Sequence, residues 1–216
     1  MSNNPTLIPE KTIERLSEYR RSLIAHHKLG VTHIFSHIIA GIHGITAVQV
    51  RRDLMLIGFS SDNKKGYDVK ELIDFISCIL DSDSMIKIAV MGMGNLGQAV
   101  TKYFNGKGFN LKITASFDVA PNKVGQIIDD IPCYHMDSFI DIVEEQEISI
   151  AVLTCPTKIA ADLVSPIINA GIKGVLNFTS IPLNFPQGIF VENYDITTLL
   201  EKIAYFVKEN EESANS

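Results

Sequence analysis

Ile86-Lys-Ile-Ala-Val-Met-Gly-Met-Gly-Asn-Leu-Gly97 is the stretch whose reading decides the fold. Ile86–Met91 reads as a buried strand, Gly92, Gly94 and Gly97 form Gly-x-Gly-x-x-Gly, and a helix then runs to about Lys107. A second strand, Leu111–Phe117, ends at Asp118, 21 residues after Gly97. A lone glycine motif says little; strand, glycine loop, helix, strand and acid in that order say much more. Gly92 permits the tight turn, Gly94 lets a pyrophosphate approach the backbone, and Gly97 lets helix and strand pack closely. The helix N-terminus offers unpaired N–H groups and partial positive charge to the phosphates. Asp118 suits hydrogen bonding to a ribose 2′-hydroxyl and repels a 2′-phosphate, so the expected ligand is NAD(H) rather than NADP(H).

Downstream the alternation continues: helix Asp137–Gln146, strand Ile148–Leu153, helix Thr157–Ala170, strand Gly174–Phe178, short strand Ile189–Val191 and helix Thr197–Lys208. Buried-type strands alternating with helices predict an α/β unit, a doubly wound parallel sheet covered on both faces. Residues 85–216 suffice for one dinucleotide domain and leave no separate substrate domain. The single histidine there, His135, lies away from the expected strand ends. Tyr103 and Lys107 have Tyr-x-x-x-Lys spacing, but on the first helix after the glycine loop they could not serve a nicotinamide as proton donor. A coenzyme fold without an acid–base partner predicts binding rather than turnover, so no enzyme and no catalytic residue are expected.

Upstream the charge changes. Residues 1–84 carry ten Lys and Arg against ten Asp and Glu, and residues 85–216 nine against fifteen, which accounts for the net −6. All five arginines fall in the first segment, and residues 11–52 hold seven basic against two acidic side chains. A basic block on an acidic chain fits a nucleic-acid-binding module, or else a solvated helix surface. Apolar residues recur at helical spacing from Pro9 to Gly30; Ser36 could cap a short helix His37–Ala40, closed by Gly41 and Gly44. Thr46 caps a third helix, Ala47–Ile57, whose apolar stripe leaves Val48, Gln49 and Arg52 on the opposite arc with Arg51 at its edge. This is helix-turn-helix layout. Gly58–Tyr67 could form a two-stranded wing with Lys64 and Lys65 at its tip, Val69–Leu80 a further amphipathic helix, and Asp81–Ser84 a linker. The expected domains are 1–80 and 85–216.

The chain of 216 residues, 46% hydrophobic and 20% charged, is composed like a folded protein rather than a disordered or fibrous one. No apolar run reaches the ~18 residues of a spanning helix. The N-terminus lacks a signal-peptide pattern, and three distant cysteines suit a reducing compartment, so a cytoplasmic protein with no membrane association is expected.

The sequence resembles the Rex family of bacterial redox-sensing transcriptional repressors over about residues 8–207. The resemblance is carried by Val48-Gln-Val-Arg-Arg-Asp-Leu54, Gly92-Met-Gly-Asn-Leu-Gly97, Phe117-Asp118, Val152-Leu-Thr-Cys-Pro156, Ala170-Gly-Ile-Lys-Gly-Val-Leu-Asn-Phe178 and Val191-Glu-Asn-Tyr-Asp195. It implies a winged helix-turn-helix domain followed by a Rossmann-like domain with a swapped C-terminal helix. It also implies a homodimer that binds palindromic operator DNA when NADH/NAD+ is low and is released by NADH. By position, Thr46, Gln49, Arg51, Arg52, Lys64 and Lys65 would meet DNA. Gly92, Met93, Gly94, Asn95, Leu96, Gly97 and Asp118 would hold the adenosine half of the coenzyme. Thr154, Pro156, Asn177 and Phe178 would line the nicotinamide site, and Arg21, Tyr103 and Asp195 would form the switch. The chain departs from the family in the wing, Ile57-Gly-Phe-Ser-Ser-Asp-Asn-Lys-Lys-Gly-Tyr67, where Asn63 stands in place of an arginine.

Other readings stay open beside these. A small NAD- or CoA-binding enzyme subunit of the succinyl-CoA synthetase α type shares the second domain's pattern. His33 and His37 have chelating spacing, although no completing ligands are evident and no metal is expected. Cys155 is either a thiol sensor or a small buried hydrophobe, Phe178 either a nicotinamide neighbour or core, and Arg15 and Arg20 either DNA contacts or packing residues.

Overall fold

The structure is a computed structural model and describes residues 8–60, 64–104 and 110–214. The chain divides into two compact units, Met1–Ser82 and Asp83–Ser216. Among the described residues, no helix is long and apolar enough to cross a membrane.

The first unit contains α1 (Glu10–Lys28), β1 (His33–Ile34), α2 (Ser36–His43), α3 (Ala47–Leu56), β2 (Tyr67–Asp68) and α4 (Val69–Leu80). Leu16, Tyr19 and Leu23 form one buried stripe of α1, in a core shared with Val50 and Leu54 of α3 and Leu72 and Ile76 of α4. The Thr46 hydroxyl accepts from the Gln49 amide and starts α3. The helix ahead of it is longer than its glycines suggested: Ser36 is its first residue, Phe35 its cap without a side-chain bond, and Gly41 lies inside it. Gly44 ends it in the left-handed conformation. β2, the described strand of the expected wing, pairs antiparallel with β1, a segment the sequence pattern left unassigned. Asn63 lies outside the described residues, as does Lys107.

The recognition-type helix α3 is held to α1 through one buried carboxylate. Asp53, with 2% of its side chain exposed, accepts from Arg15 Nε and Nη2 at 2.7 Å each. The Tyr19 hydroxyl donates to it at 2.8 Å and Gln49 Nε2 at 2.9 Å. Burial pushes the Asp53 carboxyl up, but these bonds and the charge of Arg15 outweigh it and hold it below the usual carboxylate range. Burial and the bond to Asp53 push the Tyr19 phenol far above its ordinary value. Arg20, also buried, pairs with Asp81 at 2.5 Å. Both arginines left open by the sequence are therefore packing residues of this unit.

The second unit runs β3 (Ile86–Met91), α5 (Asn95–Phe104), β4 (Leu111–Asp118), β5 (Ile127–Ile128), β6 (Ile131–His135), α6 (Phe139–Gln146), β7 (Ile148–Leu153), α7 (Thr157–Ala160), α8 (Val164–Asn169), β8 (Gly174–Asn177), β9 (Phe190–Asn193) and α9 (Ile196–Ala214). The sheet order is β5-β6-β4-β3-β7-β8-β9, parallel throughout except for the β5–β6 hairpin. The order in which strands are added reverses between β3 and β7, the switch point where such sheets open a crevice beyond their carboxyl ends. The single helix expected over Thr157–Ala170 is broken into α7, a 3-10 turn and α8. The break puts Pro166 in a first turn, where its missing N–H costs nothing. One sheet face carries the large core of Met91, Phe117, Leu153, Phe139 and Ile167; the other carries Ile88, Val90, Ile113 and Val152.

The Asp53 junction yields the first prediction. Asp53→Ala should destabilise the first unit by roughly 3 kcal/mol, because Arg15 and Tyr19 lose their buried acceptor. Because the folded carboxyl titrates below its unfolded value, its contribution is complete above that unfolded value and lost as pH falls through the folded one. The melting gap between wild type and Asp53→Asn should therefore narrow as pH falls below the ordinary carboxylate range; a gap independent of pH would contradict this assignment.

Candidate functional site

A cleft of about 610 Å³ lies beyond the carboxyl ends of β3, β4 and β7, within the usual range for a small-molecule site. Its floor is the glycine loop. Gly92 has φ +102°, and a Cβ there would stand 2.8 Å from the backbone N and Cα of Cys155. A Cβ on Gly97 would stand 2.0 Å from the Gly92 carbonyl oxygen. Both positions exclude any side chain, whereas a Cβ on Gly94 meets nothing within 4 Å and Gly94 lines the cleft. Thr154 Oγ1 donates to the Gly92 carbonyl at 2.7 Å and fixes the turn from the neighbouring strand. The first residues of α5, Asn95 and Leu96, border the cleft, so the amino end of that helix faces it.

Asp118, at the end of β4, completes the polar side. Its Oδ2 accepts from the Met93 amide and from Lys123 Nζ, both at 2.8 Å, and its Oδ1 from the Ala120 amide at 2.9 Å. Burial would raise its pKa, but Lys123 and the two amides outweigh burial and keep it low, hence ionised. The rest of the lining is largely apolar: Val119, Met136, Cys155, Ile159 and Leu163. Burial pushes the Cys155 thiol up, which disfavours the thiolate a redox sensor needs.

Of the residues expected at the coenzyme, Gly92, Gly94, Asn95, Leu96, Asp118, Thr154 and Pro156 line this one cleft. Met93 contributes its backbone N–H while its side chain is buried in the opposite core, and Gly97 acts through packing alone. Asn177 and Phe178 are not among the lining residues. Asn177 is fully buried and bonded within its own turn and to Asn193, and the Phe178 ring packs edge-on to Tyr194 at 5.5 Å. Lys123, Val119, Met136, Ile159 and Leu163 escaped the sequence reading because they come from loops and short helical turns without a periodic signal. Of the expected switch residues, Tyr103 is 61% exposed on α5. Asp195 caps α9 by accepting from the Thr197 amide and Thr198 Oγ1, and Arg21 is exposed on α1.

On the first unit, Arg51, Arg52, Lys64 and Lys65 are exposed. Arg51 Nη1 donates to Ser36 Oγ on α2 at 3.1 Å. Gln49, expected to face DNA, donates from Nε2 to Asp53, and Thr46 spends its hydroxyl on the α3 cap. His33 stands on β1 and His37 on α2, where it stacks on Phe35, so the pair does not share a helix face. Among the described residues, no group of three or more His, Cys, Asp or Glu is arranged to hold a metal.

A helix-turn-helix unit joined to a dinucleotide-type α/β unit defines the class: a DNA-binding protein with a built-in coenzyme site. Residues 83–181 match the family described as “CoA binding domain”, and residues 7–54 the one described as “Putative DNA-binding protein N-terminus”. The redox-sensing transcriptional repressor Rex of Leuconostoc citreum is 37% identical over 200 residues, covering 93% of each chain. That of Oenococcus oeni is 38% identical over 207 residues, covering 94% of each. The crystal structure of RSP with β-NAD+ and operator DNA superposes with TM-score 0.89 at 30% identity, covering 97% of each chain. That of RSP with β-NADH gives 0.85 at 30% identity, covering 97% of this chain and 99% of the other. The chain belongs to the Rex family of redox-sensing transcriptional repressors.

The glycine geometry predicts opposite outcomes for two small changes. Gly97→Ala should cost the second unit at least about 2 kcal/mol, since the Gly92 carbonyl and not a flexible side chain must give way. Gly94→Ala should melt with the wild type. Equal melting of all three proteins would contradict the close approach.

Proposed function

We propose that this chain is a repressor that grips a palindromic operator as a homodimer and releases it when NADH fills the glycine cleft. One observation carries the reading: a pyrophosphate-ready cleft and a basic helix-turn-helix share one chain, as in RSP, whose structures hold β-NADH in one case and β-NAD+ with operator DNA in another. The family is one of transcriptional repressors, which favours sensing over the enzyme-subunit alternative.

The cleft's chemistry supports discrimination between the two redox forms. They differ by one positive charge on the nicotinamide ring, and an apolar lining makes the cation the costlier form to bury. Asp118 would meet the adenosine ribose, and the amino end of α5 the pyrophosphate. Thr154 and Pro156 line the cleft at the end of β7. Arg51, Arg52, Lys64 and Lys65 are the exposed cations of the first unit that would face the duplex, and Arg52 is the best-placed base reader because its expected partner on the arc, Gln49, is occupied.

What the second unit leaves uncovered supports the homodimer. α9 exposes an apolar face, with Leu200 at 60%, Ile203 at 59% and Phe206 at 55%. On the sheet face that carries α5, an almost wholly apolar groove of about 230 Å³ lies between Val100, Phe104, Ile113, Leu176 and Phe190. A second copy's α9 matches that groove in chemistry, and a swapped helix would bury both surfaces at once.

The test uses fluorescence anisotropy of a labelled palindromic duplex selected from a mixed operator library, at fixed salt. NADH should release the wild type and NAD+ should not; turnover of NADH with a carbonyl substrate at enzyme-like rates would overturn the reading. Arg52→Ala should weaken operator binding by about 1–3 kcal/mol with NADH affinity unchanged. Gly94→Leu should keep operator binding and lose the NADH response.

A further inference from the structure

Five strands of the second unit end level with one another. Phe117, Met91, Leu153, Asn177 and Asn193 are register partners across β4, β3, β7, β8 and β9, each at or next to the end of its strand. One residue further on the ladder continues through backbone bonds alone. The Gly92 amide donates to the Phe117 carbonyl at 2.8 Å and the Thr154 amide to the Met91 carbonyl at 3.0 Å. The Phe178 amide donates to the Leu153 carbonyl at 3.0 Å and the Tyr194 amide to the Asn177 carbonyl at 2.8 Å. This row begins at the glycine turn and Thr154, which border the cleft, and ends at Tyr194, one residue before the Asp195 cap of α9.

Asn177 is the side chain that locks the far end of the row. Its Nδ2 donates to the Ile181 carbonyl and to Asn193 Oδ1, both at 2.8 Å. Its Oδ1 accepts from the Thr179 amide at 3.0 Å and Thr179 Oγ1 at 2.6 Å. A primary amide has two donors and two acceptor sites, so every one is used, and the residue is fully buried. Nothing remains on it for a ligand. The bond that matters for the chain beyond is the one to Asn193, an exposed residue two positions before Asp195.

We infer that Asn177, through Asn193, is a positioning residue: it clamps the root of α9 to the strand edge that borders the coenzyme cleft, and it does not touch the coenzyme. This rests on the repressor reading, in which α9 links two copies of the chain. A coenzyme that shifts Thr154 or the glycine turn then moves the point from which α9 departs, because buried amide networks switch between discrete arrangements rather than stretch. Without the clamp the cleft still fills, but the message reaches α9 only through backbone rungs.

The test measures two quantities on full-length protein: NADH affinity by intrinsic coenzyme fluorescence, and the factor by which saturating NADH weakens operator binding. Asn193→Ala removes the acceptor at an exposed position, and Asn193→Asp keeps one; melting curves check that both fold. For Asn193→Ala, NADH affinity and operator binding without NADH should stay within about twofold of wild type. Its coupling factor should collapse from a typical allosteric range of about 5–150-fold towards one, and Asn193→Asp should restore it. A responsive wild type with equally responsive Asn193→Ala would overturn this inference alone, as would loss of NADH affinity in parallel with coupling. A wild type indifferent to NADH would overturn the repressor reading and this inference with it.

Discussion

The Gly92 carbonyl and the α-carbon of Gly97 lie so close that a methyl group on residue 97 would reach to 2.0 Å of the oxygen, and this approach sets the rest of the second unit. It brings the start of α5 directly against the end of β3, so that the helix's unpaired amides open onto the cleft. The same turn presses against Cys155 and receives the Thr154 hydroxyl, which joins β7 to the arrangement. From there level strand ends carry the geometry outward to β8, β9 and the start of α9. A binding site and the root of a projecting helix thereby share one sheet edge.

Electrostatics divides the labour between the units. The acidic second unit nevertheless neutralises its own key carboxylate, with Lys123 at 2.8 Å from Asp118. Its oxygens are also oriented by the Met93 and Ala120 amides. In the first unit part of the basic excess is spent inside the fold. Arg15 and Arg20 are consumed by Asp53 and Asp81, and they hold α1 against α3 and against the end of α4. Arg51, Arg52, Lys64 and Lys65 are among this unit's exposed cations.

Much of this was legible in the residues because the signals were local. An apolar strand followed by spaced glycines and a terminal acid has few alternatives, and Thr46 before an amphipathic stripe marks a helix start. The β5–β6 hairpin was not legible: Asp129 and Asp130 turn it with positive φ, without the glycine that usually announces such a turn. β1 was missed because two residues carry no periodicity, and its partner β2 lies more than thirty residues away. The Asp53 junction depends on tertiary contact between helices, which no spacing rule reveals. Asn177 shows the opposite limit. A positional match to the family placed it at the nicotinamide, and no spacing rule announces its four bonds, three within the turn that follows it and one to Asn193 on β9.

Linkage requires that if coenzyme weakens the grip on DNA, DNA must weaken the grip on coenzyme by the same factor. Calorimetric titration of NADH into the protein, alone and saturated with operator duplex at one salt concentration, measures that reciprocity directly. The NADH complex should be looser in the presence of the duplex, by the factor with which NADH loosens the duplex. Identical NADH affinities with and without bound operator would contradict it.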